Sequence, residues 1–261
     1  MSDQPIDIYC FSGTGNTLRV TQAMRDVFVE RQRSAKVHLM EKSEPSAVPL
    51  DHVIGLAFPV AAFSTYPLVW RFVQALPRAA GTAVFMADTM GGRSGGMVGP
   101  LRRMLTRKGY RPLGAREIIM PTNVFYRADA AAEDATSRRG LAAARAYAED
   151  LLAGKTKWGR VPIVSDLVYA LSRAVTGMWK LGWGKSRFGM RVNRETCTRC
   201  GLCHRVCPTR AIEMQNGPVF TTRCEFCMRC AGMCPVSAIH FGRSTYKPYA
   251  AVSAKEFLAG E

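Results

Sequence analysis

Acidic residues are scarce in this chain: 20 Asp and Glu stand against 36 Lys and Arg in 261 residues, a net charge of +16. No window offers about 20 uninterrupted apolar residues, so no membrane-spanning helix is expected. The opening stretch MSDQPIDIYC has neither a basic start nor a long apolar core, so no secretory leader is expected either. Histidine occurs four times, and no Ser–His–Asp or Cys–His catalytic set is apparent. The glycine-rich loop near the N-terminus has no lysine, which excludes a Walker P-loop, and it lacks the three-glycine dinucleotide fingerprint. No nucleic-acid-binding motif is present despite the basic charge. The expectation from these absences is a cytoplasmic protein.

What the chain does have is cysteine, nine in all, with eight in two runs near the C-terminus. Cys197, Cys200, Cys203 and Cys207 precede Pro208, and Cys224, Cys227, Cys230 and Cys234 precede Pro235. Both runs read C-x2-C-x2-C-x3-C-P, the spacing of bacterial ferredoxins with two [4Fe–4S] clusters, in which the fourth cysteine of each run ligates the other cluster. The spacing therefore assigns Cys197, Cys200, Cys203 and Cys234 to cluster I, and Cys224, Cys227, Cys230 and Cys207 to cluster II. A zinc site uses four ligands, typically as two C-x2-C pairs with a longer gap, and does not account for this pattern. A disulfide scaffold requires an oxidising compartment. The runs form an internal repeat, CTRCGLCHRVCPTRAIEM and CEFCMRCAGMCPVSAIHF, each ending in an apolar stretch suited to a short strand. Since cysteines fill all eight positions, His204 and His240 read as structural. His38 and His52 lie near strand or loop ends with no visible partner. Cys10, late in an apolar strand, reads as a buried, inert thiol.

The N-terminal half alternates strands and helices. Residues 6–11 read as a strand, followed by Ser12, Gly13, Thr14, Gly15, Asn16 and Thr17, then a helix from Leu18 to about Arg31. A strand, a glycine- and hydroxyl-rich loop and a helix N-terminus together make an anion site. Residues 53–58 form a continuous apolar run expected of a buried parallel strand, followed by a loop from Pro59 to Pro67 and a helix from near Leu68. Residues 82–87 read as another strand, residues 88–96 as a glycine-rich loop, and residues 118–120 as a strand ending in Pro121, Thr122 and Asn123. These loops fall at the carboxyl edge of the sheet, where ligands bind in open α/β folds.

The stretch IYCFSGTGNT resembles the phosphate loop of flavodoxins, and the whole chain resembles a family of flavodoxin–ferredoxin fusion proteins. The resemblance implies an α/β, flavodoxin-like doubly wound parallel sheet over residues 1–154, a basic amphipathic linker region over 155–190, and an α+β two-[4Fe–4S] ferredoxin-like domain over 191–261. It implies FMN as a further cofactor, with Ser12 to Thr17 on its phosphate. It places Pro59, Val60, Ala61 and Phe63 in one ring loop, Thr89, Met90, Gly91 and Gly92 in the other, and Asn123 nearby. Phe63, Tyr66 and Met90 are the candidate ring contacts. The chain departs from many flavodoxins in having no Trp or Tyr at residues 59–62.

The positive charge is uneven. Residues 1–154 hold 19 basic and 14 acidic residues, while residues 155–261 hold 17 and 6. A basic face beside the clusters suggests an acidic redox protein as partner. Arg102, Arg103, Arg107, Lys108 and Arg111, on a helix and its end, read as a solvated face. Residues 163–183 carry an apolar stripe of helical period. They suit a linker helix; their basic flanks within 155–194, with Trp179 and Trp183, also suit peripheral contact with a membrane surface or a partner. Three functions fit this inventory. The first is an electron-transfer flavoprotein or oxidoreductase subunit serving a partner enzyme. The second is a self-contained FMN-dependent reductase of a small substrate, and the third is a redox sensor.

Overall fold

The computed structural model describes residues 3–62, 64–92, 96–124, 127–159, 189–243 and 246–259. The linker-helix expectation for 163–183, Phe63 and residues 93–95 lie outside these.

Five parallel strands form the larger sheet: β1 (Ile6–Cys10), β2 (Ala35–Leu39), β3 (Val53–Pro59), β4 (Ala83–Met90) and β5 (Arg111–Ile119). Their spatial order is β2-β1-β3-β4-β5, the doubly wound flavodoxin-like order. Helices cover both faces. Ile6, Ile8 and Cys10 of β1 face one core with α1 (Asn16–Glu30) and α4 (Ala130–Leu152). Tyr9 and Phe11 face the other with α2 (Pro67–Ala75) and α3 (Val98–Arg107). A strand with an apolar layer on each side needs apolar residues at every position, which accounts for the continuous runs in β1, β3 and β4. On α1 the buried residues Thr17, Val20, Thr21, Met24, Val27 and Phe28 recur at helical spacing. On α4 a small residue, Gly140, lets the helix come close to the Ile119 carbonyl and the Met120 sulfur.

Two expectations are corrected. Asp88, Thr89 and Met90 belong to β4 rather than to a loop, because β4 pairs with β5 as far as Met90 and Ile119. The strand expected at 118–120 starts at Arg111. It is an edge strand whose exposed charges, Arg111, Arg116 and Glu117, break the apolar pattern.

The second unit is small. β6 (Met190–Val192) pairs antiparallel with β9 (Ile239–Phe241), and β7 (Ile212–Gln215) with β8 (Gly217–Phe220). Short helices α5 (Leu202–Arg205) and α6 (Arg229–Met233) lie between, and α7 (Ala254–Leu258) follows. Val206, Met233 and Phe257 join the α1/α4 core, so the two units share apolar packing. Trp158, just past α4, is buried and donates its indole N–H to the Val98 carbonyl at 2.9 Å. No described helix is long and apolar enough to cross a membrane.

Candidate cofactor sites

The eight cysteines gather in two crossed sets. Cys197, Cys200, Cys203 and Cys234 line one pocket with Leu202, Met214 and Val236, about 340 Å3 with its open mouth included. Burial pushes the Cys203 thiol up to about 11, and Cys200, Cys197 and Cys234 add to the rise. Burial likewise raises Cys224 to about 11 and Cys227 to about 12, with Cys207 adding to both. Cys230 is raised by burial and then by Cys227, Cys224 and Cys207, with a lesser effect from Cys203 of the other set. Among the described residues, no three His, Cys, Asp or Glu side chains are gathered tightly enough to hold a single ion. Thiols raised in this way keep their protons until a metal displaces them, so loading releases protons.

The internal repeat extends to the backbone. Each cysteine of the first run has its counterpart 27 positions later, 197 with 224 through 207 with 234. The left-handed residues repeat at the same interval: Arg199 and Phe226 at φ 57° and 56°, Gly201 and Met228 at 73° and 62°, Arg210 and Ser237 at 50° and 52°. The amide of Ala211 donates to the Cys207 sulfur at 3.2 Å, and that of Ala238 to the Cys234 sulfur at 3.2 Å. Five of these six left-handed residues carry side chains, a strained choice that the surrounding structure must hold. The side chains at matching positions diverge. Arg199 is exposed, whereas its counterpart Phe226 packs edge-on to Phe241 at 6.0 Å. Cys200 is exposed and Cys203 and Cys207 are half-buried, while their counterparts Cys227, Cys230 and Cys234 are half-buried, buried and buried. His204 Nδ1–H donates to the Ile212 carbonyl at 2.6 Å, a structural contact.

At the sheet edge, Ser12 to Thr17 are all buried. The Ser12 hydroxyl accepts from the amides of Gly15 and Leu18 at 3.2 and 3.3 Å. The Thr17 hydroxyl meets that of Thr89 at 2.7 Å, and Asn123 donates to the Thr14 hydroxyl at 2.8 Å. Asn16 donates to the Pro121 carbonyl at 2.7 Å, leaving its own side-chain oxygen buried without a partner. Among the described residues the amides of Gly13, Thr14, Asn16 and Thr17 have no hydrogen-bond acceptor. Unpaired amides, hydroxyls and a helix N-terminus, with no carboxylate among them, fit a phosphate monoester such as that of FMN. Pro59, Val60 and Ala61 are half-buried, Gly91 and Gly92 are exposed, and Met90 is buried. Tyr66 packs against Phe11 at 5.3 Å, and burial, then the nearby Cys227 and Glu225, raise its phenol. It therefore sits where the two units meet.

The second cysteine loop lies directly on this edge. A β-carbon at Gly13 would collide with the Cys227 carbonyl oxygen, so only glycine admits that approach. Glu225 accepts from the Leu68 amide at 2.9 Å, capping α2, and pairs with Arg71 at 2.7 Å. The Ala251 amide donates to the Thr14 carbonyl at 2.8 Å. Arg229, 2% exposed, donates twice to the Ser12 carbonyl, at 3.1 and 2.7 Å, and once to the Val206 carbonyl at 3.2 Å. It also lies 2.6 Å from Glu41, a close charge contact without hydrogen-bond alignment. Its guanidinium stacks 4.0 Å from the Phe257 ring centre.

The sequence reading also missed a site at the opposite edge. His38 and His52, expected without partners, both bond to Asp7, at 2.8 and 2.6 Å on its two oxygens. Burial opposes ionisation of Asp7, yet the hydrogen bonds and charge of the two histidines hold its carboxyl below the ordinary value.

A doubly wound sheet with a hydroxyl-rich loop at its carboxyl edge, joined to a repeat of cluster-type cysteine loops, is a flavodoxin-like unit fused to a ferredoxin-like one. The comparisons with known proteins concern the two units separately. Residues 190–213 match the family described as 4Fe-4S binding domain. An uncharacterized ferredoxin of Methanocaldococcus jannaschii is 39% identical over 54 residues, 18% of this chain and 70% of that protein. Ferredoxin-1 of Rhodobacter capsulatus is 42% identical over 43 residues, 16% of this chain and 65% of that protein. The chain spans only 12% of the polyferredoxin protein of Methanothermobacter thermautotrophicus that it also matches. Through this C-terminal segment the chain belongs to the 4Fe–4S ferredoxins. Among solved structures, a Streptococcus pneumonia flavodoxin is similar with a TM-score of 0.42 and 14% identity, covering 57% of this chain and 97% of that one.

Proposed function

We propose that the chain is an iron–sulfur flavoprotein that passes low-potential electrons between two [4Fe–4S] clusters and FMN, and on to or from a partner redox enzyme. The observation that carries this reading is the seating of the second cysteine loop on the anion loop, with the Cys227 carbonyl against Gly13. A carrier whose centres must exchange electrons needs them close and fixed, and Glu225, Arg229 and Ala251 hold the two units together. Bound FMN supplies a centre that exchanges two electrons; the chain supplies position and electrostatics. Ser12 to Thr17, with Asn123, would hold its phosphate, and residues 59–61 and 89–92 would flank its ring. Cys197, Cys200, Cys203 and Cys234 would hold one cluster, and Cys207, Cys224, Cys227 and Cys230 the other. Amides directed at Cys207 and Cys234 favour the reduced state of the cluster each sulfur serves.

The partner docks at the exposed cluster. Met214 and Val236, 36% and 40% exposed, sit at the pocket of the first set, and the exposed Arg194 and Arg199 lie beside it. An apolar centre inside a basic rim fits an acidic redox protein.

Anaerobic reductive titration of the fully reconstituted protein tests the whole assignment. The expected uptake is four electrons, two for the flavin and one for each cluster, with flavin bands in the visible spectrum. Uptake of two electrons with a broad cluster band alone would remove FMN from the proposal.

A further inference from the structure

Arg229 is a cation at the centre of a protein–protein seam inside one chain. Its donors reach the Ser12 carbonyl in the first unit, the Val206 carbonyl next to Cys207 in the second, and the charge of Glu41. Two of its N–H groups converge on Ser12, while the third direction serves the cluster loop. A guanidinium fork can do this; an ammonium on a flexible stem cannot hold the same three directions.

The effect on the anion loop follows from peptide geometry. The Ser12–Gly13 peptide is planar and trans, so its carbonyl and its amide point in opposite directions. With the carbonyl fixed toward the cluster unit by two charge-assisted bonds, the Gly13 N–H is turned away from it. That N–H has no acceptor among the described residues, as its neighbours at Thr14, Asn16 and Thr17 have none. Polarising the carbonyl also strengthens the amide as a donor. Glu41 balances the guanidinium charge, so the loop receives oriented dipoles from this contact more than net positive charge.

We propose that Arg229 is a positioning residue for phosphate recognition, acting from the cluster unit through the Ser12–Gly13 peptide and so tying FMN affinity to the seating of the second cysteine loop. This rests on the FMN reading above. The consequence is selective. Loss of the fork weakens binding of FMN, which carries the phosphate, and leaves riboflavin, which lacks it, unaffected.

The experiment measures FMN and riboflavin affinities by flavin fluorescence quenching, anaerobically, with the full cluster-loaded chain as wild type, Arg229→Met and Arg229→Lys. Iron and sulfide content checks assembly of each. The expected result is a fall of about tenfold in the FMN-to-riboflavin affinity ratio for both variants, the scale of one lost charge-assisted contact. An unchanged ratio in Arg229→Met, or equal losses for both flavins, overturns the proposal. A wild-type ratio in Arg229→Lys also overturns it, because charge alone would then suffice. If Arg229→Met does not take up clusters, Arg229→Lys decides on the same ratio. Failure of the wild type to bind FMN strikes the proposed function itself and is read before either variant.

Discussion

At the residue scale the pair of histidines on Asp7 sets a pH dependence. Burial raises the Asp7 carboxyl, and the His38 and His52 bonds outweigh it, so the folded value lies below the ordinary one. A depressed folded value means that stabilisation is present above the unfolded value, near ~4, and is lost as pH falls through the folded value. Asp7→Asn should therefore lower stability by about 1–3 kcal/mol at pH 7. The deficit should persist undiminished down to pH 5, as read from urea midpoints of the loaded protein. A deficit that shrinks between pH 7 and 5 would contradict this account. None of the three residues announces the site in the sequence, because they lie 31 and 45 positions apart and meet only after β1, β2 and β3 align. The same holds for Arg229, 217 positions from the carbonyl it serves. The grouping of the cysteines was legible because it is local: three of each set lie within one loop, and only the fourth crosses.

At the element scale the informative feature is the joint between α2 and the second cysteine loop. The first turn of α2 opens with Pro67 and has no cap from its own neighbours; Glu225 of the other unit serves the Leu68 amide instead. Glu225→Ala should cost about 0.5–2 kcal/mol, in the range of a lost N-cap. It should also raise hydrogen exchange at Leu68 while leaving α1 unchanged. Gly13→Ala is the stronger perturbation, since the new β-carbon meets a backbone oxygen that no rotamer change can move. We expect it to unseat the cluster unit, seen as new proteolytic cleavage around residues 246–253, where the Ala251 amide now bonds to Thr14, with iron content retained. Loss of iron with no new cleavage would show that the loop, and not the seam, had given way. The central strands were readable from their apolar runs, whereas β2, with its intermediate burial, and the charged first half of β5 were not. Edge strands carry a mixed pattern because one side is unpaired and their faces are only partly covered.

At the scale of the whole molecule, one repeat makes two unlike poles. The first cysteine set opens to solvent through Cys200, and the second is pressed against the sheet edge. The exposed Arg194 and Arg199 lie at the open pole. Electron exchange from the reduced protein to an anionic oxidant, iron(III)–EDTA, should therefore slow as ionic strength rises, since screening removes the attraction. Exchange with a cation, hexaamminecobalt(III), should quicken. Arg194→Glu with Arg199→Glu should reduce the anion's rate and flatten its salt dependence, checked by stopped-flow absorbance. Equal salt dependence for the two oxidants would place the exit elsewhere than this pole.

The burial of the anion loop has a kinetic meaning. Ser12 to Thr17 are buried, with the Cys227 carbonyl against Gly13 and the Ala251 amide on the Thr14 carbonyl. A stretch that leaves the ribosome late thus borders a loop made early, and an occupant of the loop would feel the seam as one wall of its enclosure. Loosening the seam would then shorten the time the occupant stays.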